Sequence, residues 1–168
     1  MFRTLSTSLI LAAGLVTASA PARAADTFME TFFRGKTTAT GSFAAINGVK
    51  RQFDVKLTGT VRGKTLILRE DFVYNDGERD TKTWRFTRTG ANTYVGTRED
   101  VIGETVLTVS GNSATFTYLV DLDSGPGENI VRFHDRLTLQ KGGRTMENTA
   151  TVTKYGFPVA FVSVHFRR

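Results

Sequence analysis

The feature that most restricts the fold is a two-residue alternation of apolar and polar side chains. Phe53, Val55, Leu57, Gly59 and Val61 alternate with Gln52, Asp54, Lys56, Thr58 and Thr60. Leu66, Leu68, Phe72 and Tyr74 continue the pattern, as do Trp84 with Phe86, and Val131 and Phe133 with Leu137 and Leu139. Val106 and Ser110 are assigned to the same apolar face. Successive strand residues point to opposite faces, so this periodicity specifies strands with one apolar and one polar face. Near the end of the chain the pattern weakens, because Phe161 and Val162 fall on opposite faces.

Turn signals punctuate these segments at fairly even spacing: Asn47-Gly48, Arg62-Gly63, Asp76-Gly77, Gly90, Gly111-Asn112, Ser124 to Gly127, Gly142-Gly143 and Gly156 with Pro158. Connections this short force antiparallel neighbours, and the simplest topology is a meander. The expected fold is all-β: one antiparallel meander barrel of about ten strands, since closure removes edges that would otherwise pair with other chains. A helix-period stretch outside the N-terminal region occurs only at Asp26 to Phe33, where Phe28 and Phe32 share a face and predict a short helical plug.

The first residues read as an export signal. Arg3 gives a positive start, Leu5 to Val16 an apolar run, and Ala22-Arg23-Ala24 a small-x-small cleavage motif. The expected division is a signal peptide over residues 1–24 and one barrel domain over 25–168, in the periplasm or secreted. The apolar run is short of the roughly 20 residues that span a bilayer. Removing Arg3 and Arg23 from the 22 basic residues leaves 20 against 16 acidic ones, a mature charge of +4. That mild surplus, scattered along the strands, is read as a solvated face, with a peripheral contact to an anionic envelope as the alternative. The chain has no cysteine, so neither disulfides nor a lipid on an N-terminal cysteine can support it.

With the pattern laid out, the mature chain is similar to the bacterial domain-of-unknown-function family 3833. Phe33 with Gly35, Ala39 with Gly41 and Phe43, and Arg51 with Phe53 and Val55 carry the likeness. So do Trp84, Tyr94-x-Gly96, Asp100-Val101-x-Gly103, Gly111-Asn112, Phe133 with Asp135, and Asn148 to Gly156. The run Leu66-x-Leu68-x-Glu70-x-Phe72-x-Tyr74-x-Asp76-Gly77 is its most specific part. The resemblance implies an exported, lipocalin-like barrel without an assigned activity. Family members are commonly lipid-anchored, whereas this chain lacks the cysteine. His134 and Arg136 stand where the family tends to have acidic and Trp residues, and the lipocalin Gly-x-Trp opening is missing.

Several polar residues share the register of apolar ones. Glu70 lies between Leu68 and Phe72, Asp135 between Phe133 and Leu137, and Asn148 and Lys154 fall in step with Met146, Ala150 and Val152. Strict alternation turns all four inward. Buried charges are costly unless paired, so these groups are expected to meet one another or a ligand. A structural Glu70–Lys154 pair is one reading. The other is a polar anchor in a ligand cavity whose wall is Phe72, Tyr74, Trp84, Phe86 and Phe133.

Other chemistry finds little support. His134 and His165 are not at metal-ligand spacing, and no metal or cofactor is expected. There is no Gly-x-Ser-x-Gly elbow, and Gly125-Pro126-Gly127 precedes a strand rather than a helix. The aromatic residues Trp84, Phe86, Tyr94, Phe116 and Tyr118 fit core positions, and export argues against nucleic acid. The functional expectation is a periplasmic protein binding an apolar or amphipathic, lipid-like molecule inside the barrel. The alternatives are a non-catalytic structural or interaction module of the envelope, and a barrel-type cyclase or isomerase using Glu70 or Asp135 as base.

Overall fold

Each alternating segment becomes a strand of one meander that closes on itself. The computed structural model describes residues 26–122 and 129–168. The expected signal peptide and the Ser124 to Gly127 turn lie outside the described residues. After helix α1 (Phe28–Phe33) come β1 (Gly35–Ala45), β2 (Lys50–Arg62), β3 (Thr65–Tyr74), β4 (Arg79–Arg88), β5 (Thr93–Thr97) and the two-residue β6 (Val101–Ile102). They continue with β7 (Thr105–Ser110), β8 (Ser113–Asp121), β9 (Ile130–Leu139), β10 (Thr145–Lys154) and β11 (Phe157–Arg167).

Sequential strands pair antiparallel around the ring, and β1 pairing with β11 completes the closure. The short β6 extends β7 along the same edge of β8, with a register shift of two between them. Gly103, at φ 73°, sits at this break in a conformation that disfavours side chains. The ring therefore has ten positions, one filled by the interrupted β6–β7. The expected inward face of β7 is corrected: Thr105, Leu107 and Val109 are buried and Val106 is 60% exposed. The odd-numbered residues face in on both sides of the break, as Val101 does before it.

The inward stripes of the strands merge into one core, from Val55 and Leu57 through Leu68, Trp84 and Phe86 to Phe116, Leu137 and Phe166. On β11 the ambiguity resolves through Ala160, Val164 and Phe166 facing in while Phe161 faces solvent.

One end of the barrel is sealed by α1. Thr27 caps the helix, its hydroxyl accepting from the Met29 amide at 3.2 Å while Glu30 accepts from the Thr27 amide at 2.9 Å. The buried face is Met29, Phe32 and Phe33, rotated from the expected Phe28–Phe32 pair, with Phe28 only partly buried. The helix sits close to β2 because Gly59 has no side chain: a Cβ there would lie 1.8 Å from the Phe33 carbonyl oxygen. Beneath the plug, the Tyr94 hydroxyl donates to Glu30 at 2.6 Å, and the Arg88 guanidinium reaches Tyr94 Oη at 2.8 Å and Glu30 at 3.0 Å. Burial opposes ionisation of Glu30, but the hydrogen bonds from Tyr94 and Thr27, its own backbone and the Arg88 charge together hold its pKa below the usual value.

Candidate functional site

The interior is not completely filled. A cavity of about 330 Å³ lies within the barrel, beyond the α1 seal. At about 30 Å³ per water-sized group, it accommodates roughly ten such groups. Its wall is largely aromatic: Trp84 stacks on Phe86 at 4.9 Å and meets Phe116 and Tyr118 edge-on. Tyr118 stacks on Phe133 at 5.2 Å, and Phe72 on Tyr74 at 6.0 Å. These contacts place rigid rings around the space and limit collapse of the wall.

Of the residues singled out from sequence, Glu70, Phe72, Tyr74, Trp84, Phe86, Phe133, Asp135 and Asn148 all line the cavity. Lys154 does not, which corrects the expectation that it would turn inward. It ends β10, beyond a register shift at Val152/Thr153, and its Nζ donates to Asn129 Oδ1 at 2.7 Å. At that barrel rim the chain is half-exposed, and a neighbouring amide satisfies the ammonium more readily than a carboxylate deep in the interior. The proposed Glu70–Lys154 pair is therefore not formed.

The structure supplies cations that the sequence reading passed over. Lys82, directly opposite Glu70 on the β3–β4 ladder, reaches Asp100 at 2.5 Å and Asp80 at 3.2 Å. Arg98 follows β5 and binds Asp100 through Nε at 2.6 Å and Nη2 at 3.1 Å. Its guanidinium carbon lies 4.7 Å from the Trp84 ring centre and 5.4 Å from that of Tyr118. Lys82, Arg98, Asp100 and Tyr118 all line the cavity. Alternation could have found Lys82, in step with Trp84 and Phe86, and Arg98, in step with Tyr94 and Gly96. Their convergence on Asp100 required the fold.

Glu70 is enclosed by protein, yet part of its surface faces the cavity. It makes no hydrogen bond with any described residue. Burial pushes its pKa up to about 7, against the pull of Arg98 and Lys82 and with help from the Asp100 and Asp135 charges. Asp135, across the ring on β9, is pushed by burial up to about 6, opposed by Asn148, Arg98 and Tyr118. Of the last three, Asn148 stands at hydrogen-bonding geometry, donating to Asp135 Oδ1 at 2.6 Å. Asp135 Oδ2 and Asn148 Oδ1 are buried without a partner. Burial also raises the Tyr118 phenol, further raised by Asp135. Asp100 is held low, because Arg98 and Lys82 outweigh its burial. Chemically, the site can accept hydrogen bonds and exchange a proton near neutral pH. Among the described residues no cluster suited to holding a metal is present.

No curated protein matches the chain. Among solved structures, the S-type phycobiliprotein lyase CPES from Guillardia theta is similar at TM-score 0.58 and 10% identity, over 84% of this chain and 89% of that one. Rv2717c from M. tuberculosis is similar at TM-score 0.57 and 12% identity, over 81% and 92% respectively. At such identities the likeness is one of fold, a lipocalin-like closed barrel. A family profile described as a protein of unknown function, DUF3833, matches residues 11–168, nearly the whole chain, and the protein belongs to that family.

Proposed function

We propose that the protein binds a small apolar or amphipathic molecule inside the barrel and does so in the periplasm, after removal of residues 1–24. The observation that carries this reading is the cavity of about 330 Å³ with aromatic walls and buried polar atoms that lack partners. A barrel built only for stability gains by filling such space, since empty volume forfeits dispersion contacts and unpaired polar groups cost free energy. Convergent polar groups on an apolar wall are the usual composition of a ligand site. Native mass spectrometry of protein purified from a bacterial periplasm, with extraction of bound small molecules, tests it. A ligand at near-unit stoichiometry is expected; repeated recovery of empty protein from cells that export it overturns the reading.

A second reading, an envelope-contacting module, has its own observation. The β1–β2 and β10–β11 turns lie side by side at the end opposite α1, joined by the Ile46 amide donating to the Val159 carbonyl at 2.9 Å. They expose Ile46, Val49, Tyr155 and Phe157 at 70%, 51%, 89% and 74%. An apolar rim of this kind suits contact with a lipid surface. Co-sedimentation with vesicles, lost in a Tyr155→Ser, Phe157→Ser variant, would support it; equal recovery of both proteins in the supernatant would remove it.

A further inference from the structure

Most of the cavity's unmet interactions are of one kind, acceptors on Glu70, Asp135 and Asn148; the exception is Arg51 Nε, a buried donor without a partner. Three carboxylates, Glu70, Asp100 and Asp135, share its wall with the cations Lys82 and Arg98. Both cations contact Asp100. The third cation on the wall, Arg51, is held by Asp76 at 2.9 Å and Glu78 at 2.6 Å. Glu70 and Asp135 are left without a counter-ion in contact. Glu70, Asp135 and Asn148 line the cavity, and Asp135 Oδ2 and Asn148 Oδ1 are buried without a partner. Every one of these atoms is an acceptor of the ionised site. What they lack is a donor in contact.

The walls fit the same partner. A cation near an aromatic face is attracted by the ring quadrupole, more strongly when desolvated. Arg98 already occupies the faces of Trp84 and Tyr118, while Phe72, Phe86, Phe116 and Phe133 also border the space.

We infer that the cavity takes the ammonium head of an amphipathic amine, with Glu70 as its counter-ion and the free acceptors of Asp135 and Asn148 receiving donors from the same ligand. This deepens the binding reading above and rests on it. Without a ligand, burial favours the protonated carboxyls, with Glu70 titrating at about 7 and Asp135 at about 6. An ammonium replaces the proton. The charged groups around Glu70 are Lys82 on β4, Arg98 and Asp100 beyond β5, Tyr118 on β8 and Asp135 on β9, with Arg51 on β2 at the cavity wall.

Three ten-carbon probes of matched length, decylamine, decanol and decanoate, separate the possibilities. Trp84, the sole tryptophan, lies on the wall and reports occupancy through its fluorescence. At pH 8 decylamine is expected to bind at least tenfold tighter than decanol or decanoate. Its affinity should fall roughly tenfold at pH 6, where Glu70 is mostly protonated. Glu70→Gln should abolish the preference for the amine while decanol binding persists. Asp135→Asn, expected to weaken the preference, serves as a second variant if the first fails to fold. Equal binding of decanol and decylamine, tightest binding of decanoate, or an amine preference untouched by Glu70→Gln overturns the ammonium assignment and leaves small-molecule binding standing. No change in Trp84 emission with any probe overturns both.

Discussion

Glu70→Gln should stabilise the protein at pH 8 and have little effect at pH 4.5. Below about 4.5, its ordinary value, Glu70 is protonated in native and unfolded chains alike and contributes no pH dependence. Between 4.5 and about 7 the unfolded chain releases the proton while the native barrel keeps it, so stability falls as pH rises. Above about 7 the native state carries the buried anion and the penalty is complete. A shift from 4.5 to about 7, at about 1.4 kcal/mol per pH unit, sets a ceiling of about 3 kcal/mol. Because Glu70 borders a cavity rather than close-packed core, about 2 kcal/mol is the expected gain at pH 8, against a few tenths at pH 4.5. For a chain of this size that corresponds to roughly 6 °C in Tm. Urea unfolding of both proteins at both pH values measures it. Any constant effect of inserting an amide cancels in the difference between the two pH values. An equal effect of the substitution at pH 4.5 and pH 8 refutes the reasoning, because Glu70 would then titrate as an ordinary surface carboxylate.

Arg88→Met should destabilise the fold by about 3 kcal/mol, since it strands the buried Glu30 beneath the helix; denaturant unfolding measures it. Glu30 itself has a lowered pKa, so its contribution is present above its ordinary value of 4.5 and is lost as pH falls through the depressed one; acid unfolding of wild type and Glu30→Gln should converge at the acid end. Gly59→Ala should cost about 2 kcal/mol or more by driving a methyl group into the Phe33 carbonyl, and a change below about 0.5 kcal/mol would show that α1 yields instead. Lys154→Ala should shift stability by less than about 1 kcal/mol, its partner being a half-buried amide at the rim rather than the interior acids.

The wall of the barrel was legible in the sequence because a strand's side-chain period is two and depends on no partner. Phe72, Trp84, Phe86 and Phe133 could be assigned inward by counting, and so could the anomalous Glu70 and Asp135. Counting failed in two places. On β7 the adjacent Val106 and Leu107 are both apolar, so alternation alone does not choose the face, and Thr105, Leu107 and Val109 turn in rather than Val106. Lys154 lies beyond the register shift at the end of β10. Partners were a different matter. Glu30 finds Arg88 and Tyr94, and Lys82 and Arg98 both find Asp100 rather than Glu70, through contacts set by ring closure and by the path of the β5–β6 connection. Periodicity fixes the face on which a side chain lies, a local property of the chain. Which charge it meets, and whether the enclosed space fills or stays open, depends on distances across the barrel that exist only once its first and last strands have joined.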